Sequence, residues 1–219
     1  MRAVCERTQV HEGDVAVVLG PGCVGLLTAL VAKLEGARVV ITGIDKDAAR
    51  LARARELGID VVVNSGKDDL QDIVRGMTGG RGADIVYDCA GSQASLSTAW
   101  ETVKKEGTLV PLGIHPGKIE TDFNKITMKE LTVVGSYGYV YSTWQRTVRL
   151  LAERRIPSEA LVSHEYPLES FTDAFEATQT GGGVKVIFNP RLRVGAHVER
   201  ERAGRANERR NSASAPVAA

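Results

Sequence analysis

Cysteine is scarce in this sequence: three residues, Cys5, Cys23 and Cys89, stand far apart. No C-x-x-C pair and no H-E-x-x-H occurs, so neither a disulfide framework nor a common zinc signature can be drawn. An odd, scattered set fits small buried residues in a reducing compartment. The four histidines, His11, His115, His164 and His197, are equally dispersed, and none is marked as a ligand or a base. No catalytic residue and no metal ligand is therefore assigned. A net charge of +1 gives no reason to expect nucleic acid or an acidic membrane as partner. No apolar run approaches the roughly 20 residues that span a bilayer. The start, Met1 to Glu6, lacks the apolar centre of a signal peptide, so a cytoplasmic location is the default expectation.

What the sequence does hold is an ordinary globular balance. Its 219 residues are 43% hydrophobic and 25% charged, enough for one good-sized domain and an appendage. The organising stretch is Val15 to Gly25. Val15-Ala16-Val17-Val18-Leu19 reads as a strand buried on both faces, the habit of a central parallel strand. It runs into Gly20-Pro21-Gly22-Cys23-Val24-Gly25, three glycines at the G-x-G-x-x-G spacing. Val24, Leu27, Val31 and Leu34 then recur at helical intervals. In this order Gly20 permits a tight turn, Gly22 lets backbone approach a pyrophosphate, and Gly25 lets helix and strand pack closely. The helix N-terminus offers N–H groups and a positive dipole end to the phosphates.

The context that such a motif needs is present. Gly36 caps the helix, Arg38 to Thr42 reads as a second strand, and Asp45 follows Gly25 at about the distance of a ribose-binding carboxylate. Further strands are expected at Asp60–Val63, Ala83–Tyr87, Gly107–Gly113 and Leu131–Gly135. Helices carry Leu51, Leu70 to Met77, and a face of Leu96, Ala99, Trp100 and Val103 capped by Ser92. Ser142 and Gln145 form a candidate capping box for a helix carrying Trp144, Val148 and Leu151. This alternation predicts an α/β fold with an open, doubly wound parallel sheet, a Rossmann fold. Ligands in such sheets bind at the carboxyl ends of strands. Cys89-Ala90-Gly91, Leu112-Gly113 and Ser136-Tyr137 are accordingly candidate pocket walls, although each also fits a tight turn that binds nothing.

Beyond residue 155 the pattern changes. Residues 156–190 hold two strands, Leu161–Tyr166 and Val184–Phe188, and a helical face of Phe171, Ala174, Phe175 and Thr178, too little to bury a core alone. Residues 191–219 are arginine-rich, then Ser/Ala/Pro-rich, and read as a disordered basic tail. Acidic residues interrupt its arginines and no aromatic accompanies them, which argues against nucleic-acid binding.

Residues Arg2 to Pro190 resemble the C-terminal part of a medium-chain dehydrogenase/reductase. They are most similar to the zinc-dependent polyol and threonine dehydrogenases related to sorbitol dehydrogenase. The resemblance rests on Glu12-Gly13-Asp14, Gly20 to Gly25, Arg50-Leu51-Ala52 with Glu56-Leu57-Gly58, Asp84 to Gly91, Lys129 to Ser136, and Gly183 to Val186. It implies oxidation of a secondary alcohol or polyol, with hydride passing to the nicotinamide of NAD(P) and a catalytic zinc polarising the alcohol oxygen. It also implies that residues 156–190 return to complete a catalytic domain, and that the region 131–135 pairs across a homo-oligomer interface. Against that plan, no zinc-ligand domain precedes the first strand here. The isolated chain is therefore expected to be inactive, and Leu161, Val162 and Phe188 to stand exposed unless the segment repacks.

Asp45 favours NAD, since its charge repels a 2′-phosphate; Arg50 or Lys46 leaves NADP open. The alternative class is a non-catalytic nucleotide-binding or interaction module. A short-chain dehydrogenase is disfavoured because no tyrosine has a lysine four residues on. A methyltransferase is disfavoured by the second-strand geometry.

Overall fold

The run predicted as the central strand forms β1, Val15–Leu19, and all five of its residues are buried. This is a computed structural model that describes residues 1–180, 183–193 and 198–199. The described residues fall in two units, Met1–Pro157 and Ser158–Ala219.

In the first unit β1 leads to α1 (Cys23–Leu34), β2 (Arg38–Gly43), α2 (Ala48–Glu56), β3 (Val61–Asn64), α3 (Leu70–Thr78), β4 (Ala83–Asp88), α4 (Gln93–Thr102), β5 (Val103–Pro111), α5 (Asn124–Lys129), β6 (Thr132–Val133) and α6 (Tyr141–Ala152). The six strands pair in the order β3-β2-β1-β4-β5-β6, and every pairing is parallel. The order reverses between β1 and β4, so a crevice opens above the carboxyl ends of those strands. One face of the sheet puts Val15, Val17, Val40, Val86 and Leu109 against Leu70 and Val74 of α3 and Leu96, Ala99 and Trp100 of α4. The other parity, Ala16, Val18, Val39 and Ile41, is equally buried. Helix α1 packs on that side, with Gly25 beside Val18.

Two carboxylates tie strand beginnings together. Asp60 accepts a hydrogen bond from the Val39 N–H (2.9 Å) and pairs with Lys33; Asp84 accepts from the Val15 N–H (2.7 Å) and pairs with Lys104. Partial burial alone would raise both pKa values, but the lysine and backbone donors outweigh it and hold both carboxyls below their usual range. A depressed carboxylate contributes stability above its unfolded pKa of about 3.9 and loses it as pH falls through the lower folded value. Urea midpoints should therefore drop on acidification from about pH 5 towards pH 2. The Asp60→Asn/Asp84→Asn variant should show a flatter profile; an unchanged slope would contradict this account.

Several local expectations are corrected. The stripe Val24, Leu27, Val31, Leu34 is not the buried face: Val24 is exposed, whereas Leu26, Ala29 and Leu30 are buried. Because nearly every residue of α1 is apolar, spacing could not single out its inner side. Strand β5 begins at Val103, four residues before Gly107, with a bulge where it pairs with β4, so Val103 does not belong to the α4 face. The stretch read as a polar loop contains α5, whose Ile126 packs on the core. Strand β6 is confined to Thr132–Val133 and forms the exposed sheet edge. Ser142 does not cap α6, which starts from Val140 without a side-chain cap; its hydroxyl instead donates to Glu6.

The second unit contains β7 (Val162–Tyr166), α7 (Phe171–Gln179), β8 (Lys185–Phe188) and β9 (Val198–Glu199). Here β7 pairs parallel with β8 and antiparallel with β9. Leu161 is buried and Val162 half-buried, contrary to the expectation of exposure, while Phe188 is exposed. Within the expected tail, Arg191–Arg193 and β9 are described; the remainder lies outside the described residues.

Candidate functional site

Four parallel strand ends build one crest. Gly20, directly after β1, adopts φ +99°, a left-handed backbone that glycine alone takes without strain, and its N–H donates to Thr42 O (2.9 Å). A Cβ on Gly20 would sit 3.0 Å from the Ala90 Cβ, so the glycine turn rests on the end of β4. Gly25 meets the turn from behind: a Cβ there would lie 1.9 Å from Gly20 O. Gly22 differs, since a Cβ on it would meet nothing within 4 Å and the space before it is open. It occupies the N-cap of α1, and no side chain caps that helix. A twelve-residue helix thus opens on bare backbone, with its dipole directed at the cleft, the arrangement that receives an anionic group.

The other walls converge on this turn. Pro21 packs against Gly43 at the end of β2, where a Cβ would come within 2.7 Å of the Pro21 ring. Ala90 and Gly91 are held by one carboxylate oxygen: Asp88 Oδ1 accepts from the Ala90 N–H (3.1 Å) and the Gly91 N–H (3.2 Å). The Asp88 carbonyl accepts from the Leu112 and Gly113 N–H groups, both at 2.8 Å. Gly91 and Gly113 are in contact, and a Cβ on Gly113 would stand 2.2 Å from Gly91 N. Asp88 is fully buried, and its Oδ2 faces the buried His115 Nε2 at 3.8 Å; among the described residues neither atom has a hydrogen-bond partner. Cys89 lies beside Thr28, and desolvation pushes its thiol up to about 12, so it stays protonated and is no nucleophile.

Two clefts flank the crest. One, of about 280 Å³, is lined by Gly20, Gly43, Asp47, Ala90, Ser92 and Thr98 among others. Asp45 is not among its lining residues. Its carboxylate is largely exposed, accepts from Asn64 Nδ2 (2.7 Å) and pairs with Lys67 (3.4 Å), and those two partners hold its pKa below the usual value. Asp47 does line the cleft; it accepts from the Ile44 N–H (3.2 Å) and pairs with Arg50 (3.3 Å). In the sequence Asp47 stands directly before the α2 run, where an aspartate reads as a helix cap. The second cleft lies at the ends of β5 and β6, where Leu112, Gly113, Ser136 and Tyr137 meet Arg2 and Arg7. Arg2 donates to Tyr137 O (2.8 Å) and Arg7 to Gly135 O (3.2 Å), so the helical turn Ala3–Arg7 and the Arg2 before it fix this loop, an arrangement with no sequence signal.

Residues 23–153 match the family model described as "Zinc-binding dehydrogenase". The chain belongs to this zinc-binding dehydrogenase family. Among curated relatives, it is 36% identical over 185 residues to a sorbitol dehydrogenase from Halalkalibacterium halodurans, covering 84% of this chain and 54% of the relative. It is 32% identical to a D-arabitol-phosphate dehydrogenase from Enterococcus avium, covering 85% and 53%. Among solved structures, an alcohol dehydrogenase from Thermus sp. ATN1 superposes with a TM-score of 0.75 at 29% identity, covering 81% of this chain and 51% of that one. The chain thus spans about half the length of the relatives it matches. As a family member it holds the NAD(P)-binding Rossmann domain. Zinc is the metal that the family implies, and the donors here do not fit it: among the described residues no group of three His, Cys, Asp or Glu is placed to hold a metal ion. Also among the described residues, no helix is long and apolar enough to cross a membrane.

Proposed function

We propose that this chain is the NAD(P)-binding portion of a zinc-type medium-chain oxidoreductase that acts on a secondary alcohol or polyol by hydride transfer. The observation that carries the reading is the glycine turn: an uncapped helix N-terminus behind a residue whose Cβ direction is empty. Backbone N–H groups there suit a pyrophosphate. When bound, the nicotinamide supplies the hydride acceptor. The protein's part is to hold the dinucleotide across the crest, with Ala90-Gly91 and Leu112-Gly113 as its floor and Ser136-Tyr137 at the far end. Asp45 is the candidate for the ribose hydroxyls, its carboxylate turning away from Asn64 and Lys67; Asp47, already in the cleft, is the second. A carboxylate at either position favours NAD over NADP by repelling a 2′-phosphate. The relatives' names, sorbitol and D-arabitol-phosphate dehydrogenase, support a polyol substrate class.

Gly22→Asp should abolish NAD binding in calorimetry, through steric and charge conflict, while leaving the far-UV circular dichroism intact. Unchanged affinity would overturn the assignment. Asp45→Asn and Asp47→Asn, titrated in parallel with NAD and NADP, decide which acid meets the ribose.

A further inference from the structure

At the pole of the sheet opposite the crest lies a cavity of about 240 Å³ that the dinucleotide reading does not use. It is formed where α3 and α4 end and where β4 and β5 begin, with Lys129 of α5 closing one side. Its charged lining is Arg75, Arg81, Lys105 and Lys129 against a single carboxylate, Glu101. That carboxylate is already engaged by Lys125 (2.5 Å). Four cations therefore share one small recess in which Glu101 is the one carboxylate of the lining.

The commitments of each cation leave donors over. Lys129 donates to Trp100 O (2.6 Å) and Val103 O (2.9 Å), satisfying carbonyls at the end of α4. Burial draws its pKa down, opposed by Glu101. Arg81 uses Nε on Thr78 O (3.1 Å), which leaves its terminal nitrogens for other partners. Arg75 meets Asp72 only at 3.5 Å, and Lys105 pairs with Glu130 at 3.2 Å; all four of those side chains are largely exposed, where such pairs are weak. Beyond the rim Asp84 is taken up by Lys104. Val74, Val103 and Met128 complete the wall with apolar surface.

We infer that this recess is a second ligand site, for a small, multiply charged oxyanion such as a phosphate ester or a polycarboxylate. At about 240 Å³ the recess suits a small ligand. Two arginines suit a bidentate oxyanion, and the partly desolvated Lys129 gains from a neighbouring negative charge. The site stands on opposite strand ends from the glycine turn, so it does not depend on the function proposed above.

The test uses the full chain carrying Gly22→Asp, which keeps anions from the N-terminus of α1. Inorganic pyrophosphate and citrate are titrated separately at constant ionic strength, with amide shifts followed by NMR. Saturable shifts centred on residues 71–82, 101–105 and 128–129 are expected with at least one of them. A response to pyrophosphate alone identifies a phosphate ligand, and one to citrate alone a polycarboxylate. Arg75→Gln/Arg81→Gln should weaken binding by at least about ten-fold, and Lys105→Gln by less. No saturable shift with either anion, shifts centred elsewhere, or affinity unchanged in these folded variants would overturn the site.

Discussion

Gly25→Ala is expected to destabilise the first unit by about 3 kcal/mol or more, near the upper end of what overpacking costs. The added carbon would stand 1.9 Å from Gly20 O and 3.1 Å from Gly20 C. Neither atom can yield cheaply. Gly20 is tied to β2 through Thr42 O and abuts Ala90 at the end of β4, so moving it disturbs three strands. Urea or thermal melts should show the loss as a lowering of the thermal midpoint by about 10 °C. NAD affinity should fall with it, because the same shift displaces the turn. Gly22→Ala provides the contrast: its Cβ enters open space at an ordinary φ of −70°, so stability should change by less than about 1 kcal/mol. Dinucleotide affinity alone should drop. A parent-like melt for Gly25→Ala would mean that helix and turn are not packed this closely.

These two glycines explain why the turn after β1 was legible in the sequence. Their spacing encodes backbone geometry, and backbone geometry is what the sheet and the turn on its crest are made of. The doubly wound parallel sheet was legible for a related reason: buried runs alternating with helical stretches leave few parallel arrangements. The acid proposed for the ribose was harder to read. Asp45 and Asp47 differ by two residues across a short helical turn, so their side chains diverge, and it is the fold that puts Asp47 in the cleft and Asp45 on Asn64 and Lys67. The packing at position 43 had no local signal. Its lack of a side chain matters because Pro21, 22 residues earlier, occupies the space. The α5 helix escaped notice because its six residues carry one anchoring apolar contact, Ile126, which is too little periodicity to register.

The last large effect expected is at Asp88, where Asp88→Ala should cost about 3 to 4 kcal/mol. One oxygen of this fully buried carboxylate accepts the Ala90 and Gly91 N–H groups, and alanine would leave both donors without a partner. Each such orphan costs about 1 to 3 kcal/mol. The Asp88 carbonyl meanwhile anchors Leu112 and Gly113, so two segments of the proposed cofactor floor depend on the position of one residue. Asp88→Asn separates the hydrogen-bonding role from the charge. Its amide oxygen can still accept both N–H groups, and its NH2 would take the place of Oδ2, facing His115 Nε2 across the present 3.8 Å gap. The neutral imidazole can accept there in one tautomer, which would give that nitrogen the partner it now lacks. Most of the stability and NAD affinity lost in Asp88→Ala should therefore return in Asp88→Asn, and His115→Ala combined with Asp88→Asn should remove part of that recovery. If asparagine proved as damaging as alanine, the negative charge rather than the two accepted N–H bonds would be what Asp88 contributes.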